Sequence, residues 1–206
     1  MPVLYCLLMF LILFVDTLPF LSDIVSISNM FLSDNQVDYS SSYENIFVPS
    51  DNNGDTVDAS DVDFPGINKQ FGELNIKGRG VSSKLFFGDG AVPLRNGVGI
   101  YAGSFIPGYG KTILVAGHNN TYFNGLKNVE KGDIVSIKTS YGNYEYKITK
   151  TKIAGDGDKT AYDLSADKEN LVMYTCYPFD ELGLTQKRYF VYAEKVSGPE
   201  IVGLYD

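Results

Sequence analysis

The chain has 206 residues and a formal net charge of −8, which allows one domain with appendages and argues against a nucleic-acid-binding surface. The acidity is concentrated at the N-terminus: residues 1–68 contain ten of the 25 acidic residues and no lysine or arginine, so residues 69–206 are nearly neutral. Only two cysteines are present, Cys6 and Cys176, and Cys6 lies in an apolar N-terminal stretch. The chain therefore has no disulfide framework, and Cys176 is either a buried structural thiol or a reactive one.

An apolar segment opens the chain and runs without interruption from Val3 to Val15. A helix over residues 1–15 would rise only ~22 Å, which is short of the roughly 30 Å hydrocarbon core of a membrane. Because no basic region precedes the segment, we expect the natural chain to begin upstream of Met1. No small-x-small cleavage site follows, so a retained transmembrane anchor over residues 1–27, with the remainder outside the cytoplasm, is favoured over a cleaved signal.

Residues 28–66 are rich in Ser, Asn and Asp and have little apolar periodicity. This composition predicts an acidic, disordered extracellular linker. Asp51, Asn53 and Asp55 have the alternate spacing of a calcium-binding loop, but Thr56 stands where that loop needs Gly, and its final carboxylate is also missing. The spacing is therefore weak evidence for calcium.

From Phe71 onward, short apolar or alternating runs are separated by Gly, Asn and Asp. Tyr144, Tyr146 and Ile148 alternate with charged or polar residues, which is the period of a half-buried strand. Eight such runs predict an all-β domain over residues 67–206, built as a closed or nearly closed eight-stranded β-barrel with short helices. The predicted strands are 71–76, 84–87, 98–102, 112–117, 133–139, 143–154, 170–175 and 188–196, and the predicted helices are 91–96, 121–128 and 160–169.

Three residues of types that are rare in the chain fall beside these predicted strands. His118, the only histidine, follows one strand, Cys176 ends another, and Arg188 begins the last. If the last two strands pair with each other, Cys176 and Arg188 meet at one end of the sheet, beside loops. A thiol, an imidazole and a cationic donor are the groups that thiol acyl transfer needs, although each alone is more often a structural residue.

Other chemistries have less support in the sequence. One His and one Cys make a poor set of metal ligands, so no metal site is predicted. The Gly-rich stretches Gly78-Arg79-Gly80 and Gly88-Asp89-Gly90 lack the strand–loop–helix context of a phosphate-binding loop.

Several segments of the chain resemble the sortases, which are membrane-anchored cysteine transpeptidases of Gram-positive bacteria. Residues 113–120 resemble the family's histidine motif, Tyr174-Thr175-Cys176 resembles the end of its T-L-x-T-C motif, and residues 188–191 resemble its arginine strand. The stretches 97–104, 107–108, 126–133 and 139–142 resemble the segments between these motifs, so the resemblance covers about residues 71–197.

Two details of the resemblance concern the subgroup. The run Cys176-Tyr177-Pro178-Phe179 is most similar to class D sortases, although Val172 and Met173 replace the first Thr and Leu of the cysteine motif. Pilin-polymerising sortases carry an Asp-Pro-aromatic lid, and Asp63-Phe64-Pro65 has these residues in another order. We therefore expect an anchoring enzyme, with a pilin-polymerising sortase as the alternative.

The resemblance implies a mechanism and its residues. Cys176 attacks the Thr–Gly bond of an LPxTG-like sorting signal and forms a thioacyl enzyme, His118 transfers the protons, and Arg188 stabilises the oxyanion. Residues implied to help bind the substrate are Thr175, Tyr177 and Asn119.

The resemblance also implies partners and a location. The partners are LPxTG-type surface proteins and an amine of a peptidoglycan precursor, and neither a cofactor nor nucleic acid is implied. The protein is expected in the cell membrane, held by one N-terminal helix, with the catalytic domain outside the cell. Two further alternatives remain, namely a non-catalytic sortase-like module that binds wall peptides and a different cysteine peptidase.

Overall fold

A computed structural model describes residues 47–179 and 185–203, which belong to one compact unit. Ten strands, one α-helix and two 3₁₀ helices make up its regular structure. The strands are β1 Thr56–Asp58, β2 Gln70–Ile76, β3 Val81–Phe87, β4 Val98–Ile100, β5 Thr112–Ala116, β6 Ile134–Thr139, β7 Asn143–Gly155, β8 Asn170–Tyr177, β9 Lys187–Ser197 and β10 Glu200–Val202. The helices are α1 Ala91–Asn96 and the 3₁₀ helices Ala59–Asp61 and Asn124–Asn128.

Eight of the strands form a closed barrel in the order β2-β3-β4-β5-β8-β9-β7-β6. This confirms the predicted all-β, eight-stranded barrel. The alternation along β7 has the expected cause, because Tyr144, Tyr146 and Ile148 are buried in the barrel while Glu145 and Lys147 face solvent. The parallel pair β5–β8 lies between antiparallel neighbours, which places the C-terminal ends of both strands at the same edge.

The barrel has apolar residues on both of its faces along β8. Leu171 and Met173 belong to the main core inside the barrel. Val172 points the other way and belongs to a smaller outer cluster with Leu114, Ala154, Ala161 and Phe190. The connection between β7 and β8 covers this outer cluster, so β5 is buried along its whole length and β8 is buried over residues 171–173, as strands covered on both faces are.

The predicted helix over residues 160–169 is wrong, and this connection consists of turns. Asp158 and Asp163 each accept hydrogen bonds from the backbone N–H two residues further on, at 2.9 Å in both cases. Such turns compete with helix formation. The predicted helix 91–96 is confirmed as α1, and of the predicted helix 121–128 only a five-residue 3₁₀ helix forms.

The predicted disordered linker is also wrong for its C-terminal part, because residues 47–62 pack against the barrel. The strand β1 pairs in parallel with β10, and Val57 and Val62 are buried in the main core. The Ser50 N–H donates to the Thr139 carbonyl at 2.9 Å. A few apolar residues that become buried are enough to hold an otherwise polar segment against the barrel.

Some predictions for the N-terminal region lie outside the described residues, namely the anchor over 1–27 and residues 28–46 of the linker. Within the described part of the chain, no helix has the length and apolar character needed to cross a membrane. Asp51, Asn53 and Asp55 all fall in the ordered part, where the Asn53 amide donates to the Asp51 carbonyl at 3.2 Å. In the ranges that the structure describes, no cluster of three or more potential metal ligands occurs.

A buried carboxylate holds together the end of the barrel where β8 begins. Glu169 is only 5% exposed and accepts hydrogen bonds from the Gly108 and Gly110 N–H groups at 3.0–3.2 Å. The Tyr146 hydroxyl donates to it at 2.6 Å, and Lys195 lies 3.5 Å away. Burial, together with the nearby charge of Glu169, holds the pKa of Tyr146 well above its usual range, so this hydroxyl remains a donor.

Candidate active site

Cys176 and Arg188 are direct partners across the antiparallel pair β8–β9. Cys176 is a free, half-buried thiol one residue before the end of β8, and Arg188 is the second residue of β9. Residues directly opposite each other in a sheet point to the same face, so the thiol and the guanidinium share the outer face of the barrel. The sequence-based expectation that these two residues meet at one end of the sheet is confirmed.

His118 lies at the same edge because it follows β5, the other neighbour of β8. Ala116 pairs with Tyr174, and the Gly117 N–H donates to the Tyr174 carbonyl at 3.3 Å. His118 is exposed, and its carbonyl accepts from the Phe123 N–H at 3.0 Å, which fixes the turn after β5. Gly117 is needed there, since a Cβ would lie 2.6 Å from the Phe123 ring.

Thr175 joins the histidine strand to the cysteine strand. Its hydroxyl donates to the Gly117 carbonyl at 2.7 Å, and the residue is only 2% exposed. The bond connects the residue before His118 with the residue before Cys176. The contact of Thr175 with substrate stays a prediction, and in the structure its hydroxyl is buried and bonded within the protein.

Asn119 makes a second link between the two loops at this edge. It is 9% exposed, and its side-chain amide donates to the Pro178 backbone carbonyl at 2.9 Å. Its backbone carbonyl accepts from the side-chain amide of Asn124 at 2.8 Å. Its contact with substrate, like that of Thr175, stays a prediction, and in this structure its side-chain amide is bonded to the loop that follows β8. The peptide bond before Pro178 is cis.

Tyr177 is half-buried and belongs to an aromatic group beside the site. Its ring stacks on Tyr189 with centroids 6.3 Å apart, and Phe179 packs edge-on against both rings, at 6.2 Å from Tyr177 and 5.2 Å from Tyr189. Phe179 and Tyr189 also contact the main core. Of the three residues predicted to bind substrate, Tyr177 has the most exposed position.

Backbone carbonyls around the start of β9 orient Arg188. Its Nη1 donates to the Thr185 carbonyl at 2.6 Å and to the Lys187 carbonyl at 3.0 Å. One nitrogen of the planar guanidinium is thus held in place, which restricts the direction in which the others can donate.

A carboxylate that sequence reasoning did not include lies on the same face. The Tyr174 hydroxyl, two residues before Cys176, lies 3.5 Å from Oδ2 of Asp89. The pKa of Tyr174 is raised, chiefly by burial and next by the charge of Asp89, whereas Arg188 acts in the opposite direction. Asp89 had been considered only within Gly88-Asp89-Gly90 as a phosphate loop, and its real surroundings depend on strand pairings that no local pattern reveals.

The site thus holds a thiol, an imidazole and an oriented guanidinium at one edge of a closed barrel. The thiol can act as a nucleophile towards a carbonyl carbon, and the imidazole can exchange protons. The guanidinium can stabilise the oxyanion that forms when a carbonyl is attacked. This is the set of groups needed to transfer an acyl group through a thioester.

Comparison with known proteins agrees with this arrangement. The family model described as "Sortase domain" matches residues 74–196, which is more than half of the chain. "Sortase D" of Bacillus subtilis (strain 168) is 35% identical over 133 residues, covering 65% of this chain and 67% of that protein.

Solved structures share the fold at lower sequence identity. A Clostridium perfringens sortase D5 transpeptidase matches with a TM-score of 0.57 and 20% identity, covering 65% of this chain and 82% of its own. A Listeria monocytogenes sortase A matches with a TM-score of 0.56 and 22% identity, covering 65% and 92%. The match of the family model and the identity to the Bacillus protein together show that this chain belongs to the sortase family, whose members are generally cysteine transpeptidases.

Proposed function

We propose that this protein cleaves an LPxTG-like sorting signal between Thr and Gly and transfers the cleaved protein to an amine of the cell wall. The observation that carries the proposal is the meeting of Cys176, Arg188 and the loop that starts at His118 at one edge of the barrel. The identity to sortase D supports an anchoring enzyme. The clients are surface proteins with sorting signals, and the acceptor is an amine of a peptidoglycan precursor.

The first half of the reaction acylates Cys176. Its thiolate attacks the carbonyl carbon of the signal's Thr, and the guanidinium of Arg188 stabilises the oxyanion. The C–N bond to Gly then breaks, and His118 as imidazolium gives its proton to the departing amine. A C–S bond has replaced the C–N bond, and His118 is left neutral.

The second half regenerates the enzyme. The acceptor amine attacks the thioester carbon, and the neutral His118 takes a proton from that nitrogen. The C–S bond breaks, and the thiolate of Cys176 and the imidazolium of His118 are restored. Because Thr175 and Asn119 tie the two loops to each other, they keep the thiol and the imidazole in register through both steps.

The proposal includes a location. An anchor within residues 1–27 would hold the enzyme at the outer face of the cell membrane, where the signals and wall precursors are found. The approximately neutral charge of residues 69–206 suits a domain that works beside a charged wall without binding to it tightly.

The test is cleavage of a fluorogenic LPxTG peptide with and without an amine acceptor. We expect the wild type to form a thioacyl adduct that mass spectrometry detects on Cys176, and to yield the amide product when the amine is abundant. Cys176→Ala and His118→Ala should abolish cleavage, whereas Ser82→Ala, on an exposed position of β3, should not change it.

Three results would contradict the proposal in different ways. Normal cleavage by Cys176→Ala would exclude the thiol mechanism. Release of free acid alone, even with abundant amine, would indicate a peptidase. Peptide binding without any adduct would indicate a non-catalytic sortase-like module.

A further inference from the structure

Asp89 is a carboxylate on the Cys176 face that the proposed mechanism does not use. It lies between the end of β3 and the start of α1 and is half-buried. Among the described residues, no lysine or arginine forms an ion pair with it. Its hydrogen-bonding neighbour is the Tyr174 hydroxyl, at 3.5 Å, which is the long limit of a hydrogen bond. A half-buried carboxylate with a single weak partner still has acceptor sites to fill.

The sheet brings Asp89 over a row of three paired residues, of which the first two are small. Gly99, Ala116 and Tyr174 are successive partners across β4, β5 and β8, so they lie side by side on one face. A Cβ at Gly99 would collide with the Gly88 carbonyl oxygen and would lie 3.2 Å from the Asp89 Cα. The backbone at Asp89 therefore lies directly on Gly99, and the Asp89 carboxylate meets the Tyr174 hydroxyl beside the small, buried Ala116.

A neighbouring ring fixes the ring of Tyr174 beside Asp89. It stacks on Phe190 with centroids 5.8 Å apart and an interplanar angle of 25°. The pKa of Tyr174 is raised, mainly by burial. The charge of Asp89 raises it further, whereas the charge of Arg188 lowers it. Asp89 and the Tyr174 hydroxyl thus lie close to the catalytic end of β8, two residues before Cys176.

Distances along the strand indicate which part of a bound signal would reach Asp89 and Tyr174. Tyr174 is two residues from Cys176, which is roughly 7 Å in a strand. With the signal's Thr carbonyl at Cys176, the Cα of the x residue in LPxTG lies roughly 5 Å further along an extended peptide. If the signal runs along β8 from Cys176 towards Tyr174, its x residue comes to lie beside Tyr174 and Asp89, while Arg188, which is opposite Cys176, lies level with the Thr.

We propose that Asp89, with the Tyr174 hydroxyl, is a specificity-determining pair that selects a hydrogen-bond-donating side chain, such as Lys or Gln, at the x position of the sorting signal. This inference rests on the proposed function. A Lys or Gln side chain would donate to the open acceptor sites of Asp89, whereas Glu would face a like charge. Tyr174 stays protonated and contributes an oxygen that can also accept.

The test compares four peptides that differ only at x, with Lys, Gln, Ala or Glu in that place. For the wild type, we expect kcat/KM for the Lys peptide to exceed that for the Glu peptide by roughly fivefold to tenfold, as for a partly exposed charge pair. Asp89→Asn should reduce this ratio to about one, and Asp89→Lys should reverse it. Tyr174→Phe, which keeps the ring stack, should lower the preference for Gln without abolishing cleavage.

Controls separate this inference from the proposed function. Glu73→Gln removes an exposed carboxylate on β2, a strand that does not border β8, and should leave the Lys-to-Glu ratio unchanged. Cleavage with a ratio that Asp89→Asn and Asp89→Lys do not alter would overturn this inference alone. A wild type that cleaves none of the four peptides would overturn the proposed function and this inference with it.

Discussion

The two ends of β8 use polar groups in opposite ways. At the first end, Glu169 is buried, and three neutral hydrogen-bond donors and Lys195 surround it. At the other end, roughly 20 Å away, Cys176 is half-buried and is a free thiol within the part of the chain that the structure describes. At the first end the buried carboxylate is committed to the fold, whereas at the second end the thiol is free and His118 is exposed. Stability and activity are therefore expected to respond to mutations at different ends of one strand.

The largest effect on stability is expected at Glu169. Glu169→Ala would leave the Gly108 and Gly110 N–H groups, the Tyr146 hydroxyl and Lys195 without their acceptor, and should lower the free energy of unfolding by about 3–5 kcal/mol. Denaturant unfolding measures this change. Cleavage activity per folded molecule should remain near the wild-type level because the site lies at the other end of β8.

Glu169→Gln is the matched variant if the alanine protein does not fold. It keeps one acceptor oxygen and the side-chain shape, so a smaller loss of stability is expected. A loss below ~1 kcal/mol in both variants would show that Glu169 does not hold this end of the barrel together.

The largest effect of a conservative change at the catalytic end is expected at Arg188. Arg188→Lys keeps the charge but loses the planar fork that binds the Thr185 carbonyl and that the proposed mechanism uses to stabilise the oxyanion, and kcat should fall by about 100-fold. The free energy of unfolding should change by less than ~1 kcal/mol. A variant with full activity would show that charge alone is enough at this position.

Thr175 is expected to affect both stability and activity, because it is buried and is also adjacent to Cys176. Thr175→Val keeps the volume but removes the donor to the Gly117 carbonyl, so stability should fall by about 1–2 kcal/mol. Activity should fall as well, through kcat more than KM, because the His118 loop loses its register with Cys176. Thr175→Ser, which keeps the hydroxyl, should restore most of the activity, and failure to do so would argue against a positioning role.

The smallest effect concerns an ion pair at the catalytic end but on the opposite wall of the barrel. Arg79 binds Asp133 at 2.7 Å, and this hydrogen bond is the main cause of the lowered pKa of Asp133. A lowered pKa means that the pair stabilises the fold above the ordinary Asp pKa of 3.8, and that this contribution disappears as the pH falls through the lower folded value.

Asp133→Asn should therefore cost stability at neutral pH, by roughly 1 kcal/mol, and the difference from the wild type should narrow below about pH 4. Unfolding measured between pH 3 and pH 7 tests this. A difference that does not depend on pH would mean that packing, and not the charge of Asp133, is responsible. Activity at neutral pH serves as the control and should not change.

Local patterns predicted most of the barrel. Tyr144, Tyr146 and Ile148 alternate as a half-buried strand does, and β7 spans Asn143–Gly155 where 143–154 had been predicted. The pattern failed where long-range contacts outweigh local ones. The short strands β1 and β10 were missed because each is three residues long and gains its stability from the other.

The site shows the same division. The rarity of Cys, His and Arg, and their positions at strand ends, predicted which residues meet at one edge. The sequence led us to expect that Thr175 and Asn119 contact the substrate. It could not reveal that both residues are buried. Only the folded chain shows that the hydroxyl of Thr175 is bonded to Gly117 and the amide of Asn119 to Pro178.

The amino-acid sequence by itself determined the strands, the class of fold and the three reactive residues, because alternation and residue chemistry are local properties. Only the tertiary structure decided which groups stand beside them. Asp89 reaches the face of Cys176 through the pairing of four strands, β3 to β4, β5 and β8, and each pairing joins residues distant in sequence. Such pairings depend on burial of the whole barrel, so the surroundings of the thiol are a property of the closed sheet.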